Sequence, residues 1–153
     1  MRYVSRAVRV AAFVTLAVMF AFAGCSKGDY PEMARVTGTV AYKGKPVPNI
    51  MVNFMPTEGR PSWGKTDDAG KFEMIYDEDY KGVKMGRHKV YFTPAVFTID
   101  GGASKASRKA IAAAAGLTPA ELLDLRSKYG SESETKLVVE IKKDPEVLKL
   151  DLD

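Results

Sequence analysis

From residue 36 onwards the apolar residues of this chain recur at every second position in six separate stretches, and that period leaves room for little except β-structure. Val36, Val40 and Tyr42 share one face with Gly38 between them, while Thr37, Thr39 and Ala41 share the other. Lys43-Gly44-Lys45-Pro46 then supplies a turn. In the second stretch Ile50, Val52 and Phe54 alternate with Met51, Asn53 and Met55. A loop over residues 56–61 leads to a short third strand over 63–66. Asp67-Asp68-Ala69-Gly70 reads as a tight turn in which the acids cap backbone amides. Phe72, Met74 and Tyr76 mark a fourth strand, and His88, Val90 and Phe92 a fifth. Leu137, Val139 and Ile141 mark a sixth. Leu148, Leu150 and Leu152 form a seventh, where the charges of Lys149, Asp151 and Asp153 face solvent and blunt an edge. Seven strands in all predict a mainly β sandwich.

Between the fifth and sixth strands the period changes. Ser104 opens a helical stretch over residues 104–115, with Ala106, Ala110, Ala113 and Ala114 spaced for one face and Lys105, Arg108 and Lys109 on another. Gly116 is placed to stop it. Thr118-Pro119-Ala120-Glu121 then begins a second helix with an N-cap, a first-turn proline and the glutamate of a capping box. Leu122, Leu125 and Tyr129 form its apolar stripe, and Asp124 pairs with Lys128 four residues on. This insertion over 104–129 covers apolar surface at an open end of the sandwich or serves as a partner surface. Because the flanking strands carry their own alternating residues, it is expected to be dispensable to the fold.

The other constraint is at the amino terminus. Arg2, Arg6 and Arg9 precede an unbroken apolar run that ends in small residues and the only cysteine, and no acid occurs before Asp29. That is the layout of a secretory signal peptide. Phe22-Ala23-Gly24-Cys25 also resembles the lipobox of bacterial lipoproteins, with phenylalanine where leucine is usual. The resemblance implies cleavage between Gly24 and Cys25 and acylation of Cys25, which would remove residues 1–24 and leave residues 25–32 as a tether. An uncleaved anchor is disfavoured because the run is short for a spanning helix. A secreted form with a free thiol is disfavoured because one unpaired cysteine is awkward in an oxidising compartment. Ser26, where aspartate favours inner-membrane retention in well-studied lipoproteins, leans towards the outer membrane of a bacterial envelope. Loss of the three arginines would leave 20 basic against 19 acidic residues. So near-neutral a domain gives no reason to expect nucleic acid. With no second cysteine, residues 33–153 must fold on a hydrophobic core alone.

Three blocks carry a further resemblance. They are Val36-Thr37-Gly38-Thr39-Val40-Ala41-Tyr42-Lys43-Gly44-Lys45-Pro46-Val47-Pro48-Asn49, Thr66-Asp67-Asp68-Ala69-Gly70-Lys71-Phe72, and Gly82-Val83-Lys84-Met85-Gly86-Arg87-His88-Lys89-Val90. In this order they are similar to the carboxypeptidase regulatory-like, or transthyretin-like, β-sandwich, in its small planctomycete lipoprotein form. The resemblance covers residues 33–94 well and the last two strands more loosely. It implies a seven-stranded Greek-key (prealbumin-like) sandwich without known catalytic residues. It does not carry over the hormone binding or tetramer of transthyretin, because none of the matching residues is a ligand contact.

Few residues point to chemistry. The single histidine, His88, lies at an inward strand position, and a metal would need two or three further ligands at matched spacing. No nucleophile elbow or phosphate loop is present. Asp67, Asp68, Asp77, Glu78 and Asp79 lack the spacing of a calcium loop and read as solvated turn acids. No enzyme, metal or cofactor is therefore expected. The chain is read as a membrane-anchored, non-catalytic structural or protein-interaction module of the cell envelope, with a carbohydrate-binding module as the alternative. Its expected partners are the membrane, reached through the N-terminal lipid, and an envelope protein or a glycan. For a glycan the candidates are Trp63, Tyr76, Tyr80 and Tyr91, whose rings could stack on a sugar. Trp63 decides between the two. An exposed Trp63 beside other aromatics favours a carbohydrate-binding module, whereas a buried one favours a scaffold.

Overall fold

A computed structural model describes residues 30–95 and 104–153. The signal segment, Gly24 and Cys25 lie outside the described residues. Strands hold 41% of the described residues and helices 18%, which makes the chain mainly β. In chain order the strands are β1 (Met33–Ala34), β2 (Val36–Tyr42), β3 (Lys45–Pro46), β4 (Ile50–Pro56), β5 (Ser62–Lys65), β6 (Lys71–Glu73), β7 (Val83–Lys84) and β8 (Gly86–Pro94). Helices α1 (Lys105–Ala114) and α2 (Pro119–Tyr129) follow, then β9 (Val138–Ile141) and β10 (Glu146–Leu152). Ten strands thus replace the expected seven. The additions β1, β3 and β7 are two residues each, too short to show a period.

The strands form two four-stranded sheets and one small pair. In sheet one β2 is central, with β10 parallel on one side and β3 and β6 antiparallel to it. Sheet two runs β5-β4-β8-β9 and is antiparallel throughout. Strand β1 pairs with β7 apart from both. The inward rows read from the sequence hold: Val36, Val40 and Tyr42 in sheet one and Ile50, Val52, Phe54, Val90 and Phe92 in sheet two are all buried. The two rows belong to one apolar cluster, and the rings of Phe54 and Phe72 lie 6.5 Å apart between centroids. Each such side chain stabilises the fold by roughly 1.5–3 kcal/mol. Gly38 interrupts its row for a packing reason. A Cβ there would run into the Leu148 carbonyl of β10 and lie 2.7 Å from the Phe72 ring.

Local signals also formed as read. Asp67 Oδ1 accepts from the amides of Ala69 (2.9 Å) and Lys71 (2.8 Å), and Gly70 takes φ +72°. A Cβ at Gly70 would come within 2.6 Å of the Val40 carbonyl oxygen, so the turn needs glycine twice over. In α2 the Thr118 amide donates to Glu121 Oε2 (2.8 Å), and the Glu121 amide donates to Thr118 Oγ1 (3.2 Å), a complete capping box.

The helices differ from expectation in two ways. First, α1 buries Ile111 and Ala112, while Ala106, Ala110 and Ala113 are exposed. Alanine has too little apolar surface to select a face, so the single isoleucine turned the helix. Second, the segment reaches the core through α2 and the link before it, while Ile111 and Ala112 of α1 pack with Leu122 in a small cluster of their own. Ala115, Leu117 and Leu125 join the central cluster, and Tyr129 meets Phe92 edge-on at 6.2 Å. Polar contacts fasten the same segment: Asn49 Nδ2 donates to the Ala114 carbonyl (3.1 Å), and the Tyr42 hydroxyl donates to Asp124. The segment thus covers apolar surface, as expected, and is tied to both sheets.

Candidate functional site

The site grows from the alternation of β5. Ser62 and Gly64 point inward, so Trp63 must point out, and the residue is 43% exposed. Its backbone is fixed on both sides. Asn53 of β4 is its register partner, and on the free edge its amide donates to Ile75 O (2.9 Å) while the Ile75 amide donates to Trp63 O (2.7 Å). An exposed aromatic on an immobile strand is a rigid platform, and little entropy is lost when something stacks on it.

Beside Trp63 lies a cleft of about 640 Å³, lined also by Arg60, Ile75, Tyr76, Asp77, Glu78, Asp79 and Lys81. The Arg60 guanidinium sits over the Tyr76 ring at 5.2 Å, and its Nη1 lies 3.8 Å from Asp77 Oδ2. Asp77 Oδ1 accepts from the amides of Asp79 (3.1 Å) and Tyr80 (2.8 Å). Asp77 is therefore a turn cap, as Asp67 is, and both hold backbone. Among the described residues no group of three or more histidines, cysteines or carboxylates is placed to hold a metal. The cleft offers apolar ring faces, the cations of Arg60 and Lys81 and exposed carboxylates, which together suit a polyhydroxylated ligand.

The four aromatic candidates separate. Trp63 and Tyr76 share the cleft. Tyr80 sits in the adjoining turn with its ring against Gly82. Tyr91 stands on β8, on the same outer face as Trp63, because Asn53 is the register partner of both. Burial, with a smaller contribution from Glu132, holds the Tyr91 phenol above its usual range. Sequence reasoning missed Arg60, Ile75 and Asn53. An amide in the middle of an apolar strand was the one signal available for Asn53.

His88 is a core residue. It is buried, with Nε2 2.7 Å from the Lys84 carbonyl and its ring 5.9 Å from that of Phe54. A nitrogen facing a carbonyl carries the proton, so Nδ1 is a bare acceptor, and this atom is buried without a partner. Burial holds the imidazole below its ordinary value. A groove of about 660 Å³ crosses sheet one near Thr37, Thr39, Lys71 and Lys149, and of the sequence candidates only Asp67 lines it.

No family model, no curated protein and no solved structure matches this chain.

Proposed function

We propose that this protein is a lipid-anchored, non-catalytic binding module of the bacterial cell envelope, and that the ligand of its Trp63 cleft is a carbohydrate. The anchor rests on the three arginines, the apolar run and Phe22-Ala23-Gly24-Cys25. Acylation of Cys25 would give the stable membrane attachment that needs more than one chain. No helix among the described residues is long and apolar enough to cross a membrane. Residue Ser26 favours the outer membrane. The domain is proposed to be a Greek-key sandwich of carboxypeptidase regulatory-like type, with which its two sheets around a shared core are compatible.

One observation favours a glycan over a purely structural or protein-binding role: Trp63 is exposed and has Tyr76 beside it in the cleft. Two measurements test the proposal. Mass spectrometry of the protein from bacterial membranes should find an acylated Cys25 at the amino terminus, and Cys25→Ala should abolish processing. An intact Met1 or an unmodified Cys25 sinks the anchor. A glycan array probed with the detergent-solubilised protein should give signals that disappear in Trp63→Ala. An array with no Trp63-dependent signal leaves the protein-interaction reading in its place.

A further inference from the structure

Trp63 belongs to a second arrangement besides the cleft. Trp63 on β5 and Tyr91 on β8 are both register partners of Asn53 on β4. Directly opposed residues of antiparallel strands project from one face. The three side chains therefore form a straight row across sheet two, at right angles to its strands, and Ile75 extends the row past Trp63. The two rings stand two strand spacings apart, or about 10 Å. Asn53 between them is held by its own donor. Its Nδ2 lies 3.3 Å from the Met51 carbonyl, the Tyr91 carbonyl and Thr93 Oγ1. Two of these acceptors are backbone carbonyls, which fixes the amide orientation and leaves Oδ1 as the acceptor. Among the described residues nothing donates to that oxygen.

We infer that this row is the binding platform for a chain of β-1,4-linked neutral pyranoses, laid across the strands with alternate sugar rings on Trp63 and Tyr91. The inference rests on the carbohydrate reading above and names its polymer. In an extended β-1,4 chain successive rings are flipped, so the same apolar face returns at every second ring. That repeat is close to the ~10 Å set by two strand spacings. The intervening ring presents hydroxyls where Asn53 Oδ1 accepts. Charge points the same way. Ile75, Trp63, Asn53 and Tyr91 are all uncharged, and the lysines of this face lie off the row, Lys65 opposite Met51 and Lys89 opposite Met55. Charges do stand beside each ring, Arg60 and Asp77 in the Trp63 cleft and Glu132 near Tyr91, so the contact with a neutral chain comes from the ring faces and Asn53 themselves. The shared chemistry has two sources, a chain of N-acetylated glucosamine or a glucan.

Calorimetry of the full-length protein in detergent with cello- and chito-oligosaccharides tests this. A hexamer should bind at least about tenfold more tightly than a dimer, because only the longer chain reaches both rings. Trp63→Ala should abolish binding, Tyr91→Ala should lower it about tenfold, and Tyr91→Phe should restore it, since the ring face and not the hydroxyl stacks. Leu123→Ala, on the exposed side of α2 and away from the row, should leave hexamer affinity unchanged. Preference for the chitohexaose identifies the N-acetylated chain, and preference for the cellohexaose the glucan; either supports the platform. If Trp63→Ala and Tyr76→Ala abolish binding while Tyr91→Ala does not, the platform is overturned and the cleft alone is the site. If neither hexamer binds, the β-1,4 assignment is overturned, and the glycan array decides separately whether any carbohydrate reading survives. Unfolding midpoints of each variant separate lost binding from lost fold, and Asn53→Ala, which removes no ring, provides a second test of the row.

Discussion

The Tyr42 hydroxyl, at the end of the central strand of sheet one, donates to the Asp124 carboxylate on α2. Asp124 also faces Lys128 at 3.2 Å and Lys43 at 3.6 Å, and the Tyr42 bond is the first of the causes that hold its carboxyl below the usual range. This contact joins residues 82 positions apart and binds the helical insertion to the strand on which sheet one is built. Tyr42→Phe keeps the buried ring and removes the bond. We expect a lower urea midpoint in Tyr42→Phe, and a smaller further loss on adding Asp124→Asn than that substitution causes alone. Additive losses would show that the pair does not act as a unit.

The insertion should count as core. Leu125 is 2% exposed and packs in the central cluster, whereas Leu123, two residues before it, is 55% exposed. Leu125→Ala should destabilise the protein by about 2–5 kcal/mol. Leu123→Ala should stay within about 0.5 kcal/mol. Deletion of residues 104–128 should prevent folding, contrary to what the strand pattern alone leads one to expect. Circular dichroism of the deletion protein and denaturant titrations of the two point variants check this. A folded deletion protein would return the helices to the status of a dispensable cover.

Sheet assignment has its own check. Phe54 is fully buried between the sheets, so Phe54→Ala should cost about 3–5 kcal/mol. Thr37→Ala, on the exposed face of β2, should cost little. Similar losses at both positions in thermal or urea unfolding would contradict the inward and outward rows described above.

Acid should act in two stages. Burial depresses the His88 imidazole below its ordinary 6.5, so the folded state resists the proton that the unfolded chain accepts. Stability is then complete above about pH 6.5 and falls as pH drops below it towards the depressed value. The carboxyls of Asp124, Asp144 and Glu121 are held below their ordinary 3.8, 3.8 and 4.5 by hydrogen bonds from Tyr42, Arg35 and Thr118 respectively. Their contribution is present above those values and is lost as pH falls through the depressed ones. Urea midpoints measured from about pH 7 to 5 should decline in the native protein and stay flat in His88→Leu, with the lower stage unchanged in both. An equal decline in the variant would exclude His88 as the source.

Periodicity within single stretches was enough to determine which residues of β2, β4, β8 and β10 face the core. Side-chain direction in a strand is local and alternates whatever the partner. Local chemistry was likewise enough for the capping box at Thr118 and Glu121 and the turn at Asp67, since both ends of each bond lie within four residues. Tertiary structure alone decided the rest. That β10 runs parallel to β2, with Val147 opposite Thr37 and Asp144 bonded to Arg35 across 109 residues, depends on pairings with no local signature. The buried face of α1 was decided by what stood opposite Ile111, because alanines leave a helix nearly free to rotate about its axis. The Trp63–Asn53–Tyr91 row is the clearest case. Each residue's outward direction follows from its own strand, but their alignment is set by two registers, and register is fixed only when the inward sides of three strands pack into one core.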